Sequence, residues 1–261
     1  MTAAGDPVPP RADRAVRGFD LARVVTRSFL LQALWNPERQ QGAGFAFALR
    51  PLLRAAFGRE GEAAALARHQ GYFNTNPAFA SYALGAVGRL EVERGLGLDV
   101  PEEAVERAKA SLGPALAAIG DSLMWSTLRP VAAALGVTWV LGGSVYGAIL
   151  FLVLYNGLHL LVRVRGVLLG WSKGLGFWEE GMRRRLRWLS YGLRACAVIA
   201  AVALADALAR RIAGVPGAGA PFALILGTAI GLAWGENRRL SASIAGLALF
   251  SLALAWATLV R

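Results

Sequence analysis

The apolar positions change their rhythm along the chain, and each change predicts an element. From Arg11 to Trp35 they follow a helical period. Phe19, Ala22, Val25 and Phe29 are spaced three, three and four apart and share one face, while Arg23 and Arg27 share another. A basic amphipathic helix of this kind suits either a membrane surface or an ordinary core with one solvated face. Gly42-Ala43-Gly44 reads as a breaker, and Phe45 to Phe57 as a second helix that Pro51 is able to kink and that Gly58 and Gly61 close. Glu62 to Tyr72 predicts a short helix. Asn76-Pro77 biases the chain away from helix before Ala78 to Gly95 resumes it. Asp99 or Val100, Pro101 and the pair Glu102-Glu103 mark the next helix start, with two carboxylates near the positive end of its dipole. Gly113-Pro114 should bend or end that helix.

Beyond Ala115 the polar positions thin out. Ala115 to Val162 is apolar but interrupted by Asp121, Arg129, Pro130, Gly142-Gly143 and Asn156. Charges and helix breakers at membrane depth are typical of broken or re-entrant helices. The region therefore reads as two membrane-depth elements joined near Gly142-Gly143. Residues 163–194 combine Arg163, Arg165, Lys173, Arg183, Arg184, Arg185, Arg187 and Arg194 with Trp171, Trp178 and Trp188, an interfacial composition. Three further apolar helices are expected at 195–211, 222–235 and 240–260, the first with Asp206 placed to pair with Arg210. The positive-inside rule puts the Arg183–Arg187 cluster in the cytoplasm.

Composition agrees. Of 261 residues, 56% are hydrophobic, and the mean hydropathy of +0.46 is too high for an ordinary soluble domain. The fold class expected is all-α: a helical membrane protein with an amphipathic helical N-terminal half and broken or re-entrant plus transmembrane helices in the C-terminal half. Its expected divisions are a disordered tail at 1–10, a cytoplasmic or interfacial helical region at 11–114 and a membrane-embedded region at 115–261. The net charge of +11 fits basic residues that flank membrane segments and face anionic lipid. No zinc-ligand spacing, RNA-recognition motif or aromatic-interleaved basic stripe points to nucleic acid. The single cysteine, Cys196, permits no internal disulfide and reads as a small buried hydrophobe. The N-terminus lacks the apolar core of a secretory signal.

Two polar clusters interrupt this apolar frame, WNPERQQ at 35–41 and FNTNP at 73–77. Buried polar groups are costly unless paired, so each implies either a neighbouring helix or a polyhydroxylated ligand. Trp35, Asn36, Glu38, Arg39 and Gln41 supply an aromatic face for the C–H side of a sugar ring and planar donors and acceptors for its hydroxyls. Glu38 and Arg39 are open to pairing with each other or with another helix, but an idle carboxylate in an apolar stretch is expensive, which favours function for Glu38. Asn74 and Thr75 suit either this site or a cap of the following helix. Asp121 suits an N-cap or a functional role. No GxxxxGK[ST], GxSxG or HExxH motif occurs. His69 and His159 have no partners at ligand spacing, so no metal or cofactor is expected, and His69 reads as a packed or hydrogen-bonded histidine orienting the FNTNP turn.

These residues fall into three ordered blocks. The first is Arg27-Ser28-Phe29, Gln32, Trp35-Asn36, Glu38-Arg39, Gln41, Gly44-Phe45 and Pro51. The second is Arg68-His69, Phe73-Asn74-Thr75 and Pro77. The third is Gly120-Asp121, Trp125, Arg129-Pro130, Gly142 to Ser144, Asn156 and Trp171-Ser172-Lys173-Gly174. From about residue 20 to residue 180 the chain resembles the IID component of the mannose/fructose/sorbose family of the bacterial sugar phosphotransferase system. Pro37 stands where an aromatic is more usual in that family, and Trp171 where a tyrosine commonly precedes Ser-Lys-Gly. The resemblance implies a subunit of the cytoplasmic (inner) membrane, its N-terminal region cytoplasmic. It would accept no phosphate itself and would form a hexose path with a IIC subunit, served by soluble IIA and IIB phosphocarriers. It gives Asp121 a role in subunit contact or near the sugar path. An alternative is a subunit of an incomplete, regulatory phosphotransferase system with little transport.

Overall fold

A computed structural model describes residues 16–178 and single positions between 184 and 207. Six α-helices lie among the described residues: α1 (Gly18–Ser28), α2 (Gly42–His69), α3 (Ala80–Gly95), α4 (Glu102–Gly120), α5 (Arg129–Leu141) and α6 (Gly147–Lys173). A π-helix (Asp121–Leu128) joins α4 to α5, and a 3-10 turn (Gly174–Trp178) follows α6. The expected tail at 1–10, the Arg183–Arg187 cluster apart from Arg184, the Asp206–Arg210 pair and the last two apolar helices lie outside the described residues. The chain divides into two compact units. One comprises Met1–Ser122 with Leu158–Arg187, the other Leu123–Gly157 with Trp188–Arg261.

In the first unit α3 is the central element, packed against α1, α2, α4 and the 3-10 turn. Nearly every α3 residue is buried, including Arg89, Glu91 and Glu93. The C-terminal half of α6 crosses it at two pairs of small residues, Ser81/Gly85 and Gly166/Gly170. A Cβ on Gly85 would lie 2.3 Å from the Val167 carbonyl oxygen, and one on Gly170 2.3 Å from that of Tyr82. Small residues four apart on each helix let the two backbones meet, as in membrane helix pairs. Tyr82, between Phe79 and Phe177, extends this seam with ring centroids 5.7 and 5.3 Å away.

Several expected boundaries move, each for a local reason. Gly42-Ala43-Gly44 does not break a helix but starts one. A Cβ on Gly42 would stand 2.0 Å from the Gly71 carbonyl oxygen and one on Gly44 1.9 Å from that of Leu31, so these glycines serve close approach of chain segments. The two helices expected at 45–57 and 62–72 form one element, α2, kinked at Gly58, whose φ of 69° and ψ of −168° only glycine adopts easily. Pro101 is the residue just before α4, and α4 runs straight through Gly113-Pro114. Its end passes into the π-helix, so Asp121 follows a helix where a helix start was expected.

Of the two placements open to α1, the ordinary core face is not the one seen: Asp20, Val24 and Ser28 are buried, while Phe19 and Phe29, on the apolar face of the spacing, are 62% and 52% exposed. In the second unit the break at Gly142-Gly143 is present: α5 ends there, Gly143 has a φ of 90°, and α6 begins at Gly147. Gly136 and Gly147 bring α5 and α6 together, since a Cβ on Gly147 would be 2.2 Å from the Gly136 carbonyl oxygen. Among the described residues, the helix over Gly147–Trp178 is long and apolar enough to cross a membrane. Cys196, expected to be buried, is exposed. A small thiol on an apolar helix meets lipid as readily as a core, so burial could not be inferred from its neighbours.

Candidate functional site

The two polar clusters meet. Asn36 opens a tight turn in which its Oδ1 accepts from the Arg39 amide at 2.8 Å and its carbonyl accepts from the Gln40 amide at 2.8 Å. Gln40 carries a φ of 53° to close the turn. Its side chain accepts from Trp35 Nε1 at 2.8 Å and donates to the Pro37 carbonyl at 3.1 Å. The turn then pairs with the second cluster. The Gln41 amide donates to the Phe73 carbonyl (2.8 Å) and the Phe73 amide to the Arg39 carbonyl (3.3 Å). Gln41 is buried, and its side-chain amide clamps the backbone of Thr75: Nε2 donates to the Thr75 carbonyl at 2.7 Å, and Oε1 accepts from the Thr75 amide at 3.2 Å.

This pairing sorts the expected site residues into two tiers. Trp35, Glu38, Arg39 and Asn74 are exposed and Asn36 is half-buried, so their side chains form the accessible rim. Gln41 and Thr75 are buried beneath it. The Gln41 amide is taken up by protein backbone and acts as a brace. Asn74 does not cap α3. No side chain caps α3 at its N-cap Phe79; buried Asn76 instead holds the turn that leads into it, its Oδ1 accepting from the Ala78 amide at 3.1 Å. Asn76 Nδ2 donates to Asp121 Oδ1 at 2.9 Å, so Asp121 is tied to the foot of the same turn. Gly120 makes room for this contact, since a Cβ there would be 2.3 Å from Asn76 Cβ. Sequence reasoning missed Asn76 because three adjacent positions, 74 to 76, carry cap-forming types and only geometry chooses among them.

Under the turn lies an ionic cluster. His69 Nε2 is 2.8 Å from Glu91 Oε1, and Arg68 donates to Glu91 Oε2 at 3.0 Å. His69 and Glu91 are fully buried, and Phe45 separates them from the turn, its ring 4.2 Å from that of Phe73 and 6.1 Å from that of His69. Burial pushes the His69 imidazole below its ordinary pKa, against the pull of Glu91. Burial alone would push the Glu91 carboxyl up, but the His69 hydrogen bond and charge and the Arg68 guanidinium outweigh it and hold it below the usual carboxylate range. His69 thus orients the turn through Phe45 and anchors Glu91, in line with the packed role expected of it. Arg68 also reaches toward Glu102, which accepts from Arg94 at 2.9 Å. The expected site list held none of these partners, because nothing in sequence spacing joins position 69 to position 91.

A second brace reaches α6. Arg163 is buried and donates to the carbonyl and, at 3.0 Å, to the hydroxyl of Ser28, at the end of α1. Its guanidinium lies 4.6 Å from the Phe29 ring centroid. Arg89 does similar work at the other end of α6, donating to the Ser172 carbonyl at 3.2 Å and to Glu93 at 2.7 Å. An arginine on the last carbonyls of a helix satisfies acceptors that the helix itself leaves open. Among the described residues no group of three or more His, Cys, Asp or Glu side chains is placed to hold a metal.

Comparisons with known proteins bear on the family. Residues 16–210 fit the family of the PTS system mannose/fructose/sorbose family IID component. The chain is 37% identical over 172 residues to the PTS system mannose-specific EIID component of Escherichia coli strain K12, covering 65% of this chain and 61% of that one. It is 31% identical over 167 residues to the fructose permease IID component of Bacillus subtilis strain 168, covering 64% and 61%. The matched stretch spans about three fifths of the length of these relatives. Among solved structures, a chain of the mannose transporter ManYZ in complex with microcin E492 superposes with a TM-score of 0.59 at 28% identity, over 92% of this chain and 96% of that one. The protein whose turn, brace and buried cluster are described above is a membrane protein that belongs to the mannose/fructose/sorbose family of phosphotransferase-system IID components.

Proposed function

We propose that the chain is the IID membrane subunit of a sugar permease that, with a IIC subunit, forms the path for uptake coupled to phosphorylation. Soluble IIA and IIB components would carry the phosphoryl group to a hexose-type sugar, and this chain would accept none. The family match over residues 16–210 carries this reading. It is supported by the likeness to a mannose transporter and by a helix long and apolar enough to span. In this reading residues 11–114 form a cytoplasmic or interfacial helical region, and 115–261 the membrane-embedded part with its broken helices.

The rim of the 36–41 turn is the proposed contribution to the sugar path. Trp35, Asn36, Glu38, Arg39 and Asn74 present an indole, two amides, a carboxylate and a guanidinium to the outside, held by Gln41, Thr75 and Asp121 from below. A backbone-braced turn keeps such groups pre-oriented, which lowers the ordering cost of binding. Glu38→Gln keeps the volume and removes the charge. It should abolish uptake of labelled sugar by membrane vesicles while co-purification with the partner subunit is unchanged. Normal uptake by this variant would remove Glu38 from the site and leave the family membership intact.

A further inference from the structure

The outward face of α1 sets Phe19 and Ala22 among Arg23 and Thr26, and two of the three residues that the helix buries are polar. Asp20 and Ser28 point inward with Val24. Ser28 is engaged by Arg163 and by the Val25 carbonyl, and Asp20 accepts from the Arg17 amide at 3.1 Å. Outward stand Phe19 (62% exposed) and Ala22 on the helix and, in the turn just beyond its end at Ser28, Phe29, Leu30 and Leu34. Large apolar side chains stand outside while Asp20 and Ser28 are buried, which is not the sorting water selects.

The two exposed polar residues within α1 itself behave as they would against hydrocarbon. Thr26 donates its hydroxyl back to the Arg23 carbonyl at 3.0 Å. The Arg23 guanidinium folds over the Phe19 ring, 4.4 Å from its centroid. Arg17, with 81% of its side chain exposed, stands at the start of the helix. Long basic side chains can lay their stems along an apolar face and hold their charge at headgroup level.

We propose that α1 and the turn after it form an interfacial segment whose Phe19, Ala22, Phe29 and Leu30 side chains are seated in the headgroup–acyl boundary of an anionic membrane, with Arg17 and Arg23 on lipid phosphates. Burial of the aromatic and aliphatic row supplies the non-specific part. The cations supply a preference for anionic headgroups. Through Arg163, which is tied to Ser28 at the end of α1, the same contact fixes the height of α6, and through residues 29–35 that of the 36–41 turn. The inference rests on the permease reading only in that a bilayer is present.

The test uses the full chain, purified with the subunits that accompany it, in nanodiscs of phosphatidylglycerol or of phosphatidylcholine. An Ala22→Cys, Cys196→Ala variant carries a nitroxide at position 22. Collision with oxygen, which concentrates in lipid, is compared with collision with a water-soluble nickel chelate. In phosphatidylglycerol oxygen should dominate several-fold, and the ratio should fall in phosphatidylcholine and on Arg17→Gln with Arg23→Gln. Dominance of nickel would place the face in water, and shielding from both reagents would place it against a partner subunit. Either result overturns the proposal, and equal ratios in the two lipids overturn its anionic preference. None of these readouts depends on transport, so failure here is separable from failure of the permease reading.

Discussion

α3 and α6 touch each other, yet they solve opposite problems. α3 is buried on nearly all sides and carries Arg89, Glu91 and Glu93 inside. α6 is one of the most apolar stretches of the chain, yet it leaves Ile149, Leu152, Val153, Leu160 and Leu161 about half exposed or more. In a water-soluble protein these roles would be exchanged. Around α3, every buried charge has a partner: Arg89 with Glu93 at 2.7 Å, Glu91 with His69 and Arg68. Along α6 the exposed side chains need none, because a helix satisfies its own backbone and hydrocarbon asks nothing of a leucine. Burial in this protein therefore follows pairing and small-residue contact more than hydrophobicity.

The sharpest way to break that contrast is to remove one member of the buried cluster. Glu91→Ala leaves His69 and Arg68 facing an empty, dry space, and loss of one partner from a buried pair costs about 3–5 kcal/mol. The thermal midpoint of the detergent-solubilised protein should drop sharply, and a midpoint unchanged by Glu91→Ala would mean that water reaches the cluster. The seam between the two helices comes next. Gly85→Val pushes side-chain atoms into the Val167 carbonyl and the Trp171 amide, neither of which can move aside as a side chain could. The expected cost is about 3 kcal/mol, at the upper end for overpacking. Monodisperse elution and melting of that variant test it. A smaller effect belongs to the turn: Asn76→Ala removes the bonds to the Ala78 amide and to Asp121, for about 1–2 kcal/mol. Asp121→Asn, which can keep the contact by an amide flip, should lose less than Asn76→Ala. The reverse ranking would show that the contact at Asp121 is with something else.

These contrasts explain what the sequence made legible. The all-helical class, the break at Gly142-Gly143 and the polar clusters WNPERQQ and FNTNP were readable because each leaves a local mark: a period, a dipeptide, an isolated amide cluster. The face of α1 was not. Its spacing identifies a helix with an apolar side, but which side is inward depends on what lies outside, and the usual assumption of water gives the wrong rotation. The fusion across Gly58 was illegible for another reason. A glycine at positive φ marks both a helix end and a kink, and packing decides between them. The division of labour at the site, with Gln41 and Thr75 below and Trp35, Glu38 and Arg39 above, was hidden because one residue of register in a tight turn reverses which side chains are exposed.

The smallest and most specific effect concerns protons. His69 Nε2 faces a carboxylate oxygen, which can only accept, so Nε2 carries the hydrogen. Nδ1 is buried and has no partner. A neutral ring leaves there a bare acceptor; a protonated ring would bury an N–H with nothing to receive it, which is the costlier state. Lys109, buried nearby and donating to Glu106 at 3.2 Å, opposes a second positive charge, while Glu106 favours it. The net direction is downward, from an ordinary value of 6.5. Where the folded pKa lies below the unfolded one, the unfolded chain takes up a proton that the folded chain refuses. The contribution of His69 is therefore complete above about pH 6.5 and is lost as the pH falls through that value, at up to about 1.4 kcal/mol per pH unit until the folded value is reached. Glu91, whose folded pKa is also lowered, is ionised above its ordinary 4.5, and its contribution is lost only as the pH falls through that lower region. Melting curves between pH 7.5 and about 5 should thus show a decline that His69→Gln, which keeps a donor for Glu91 and cannot titrate, flattens. A decline equally steep in His69→Gln would assign the acid sensitivity to other groups and remove the neutral imidazole from the account of the buried cluster.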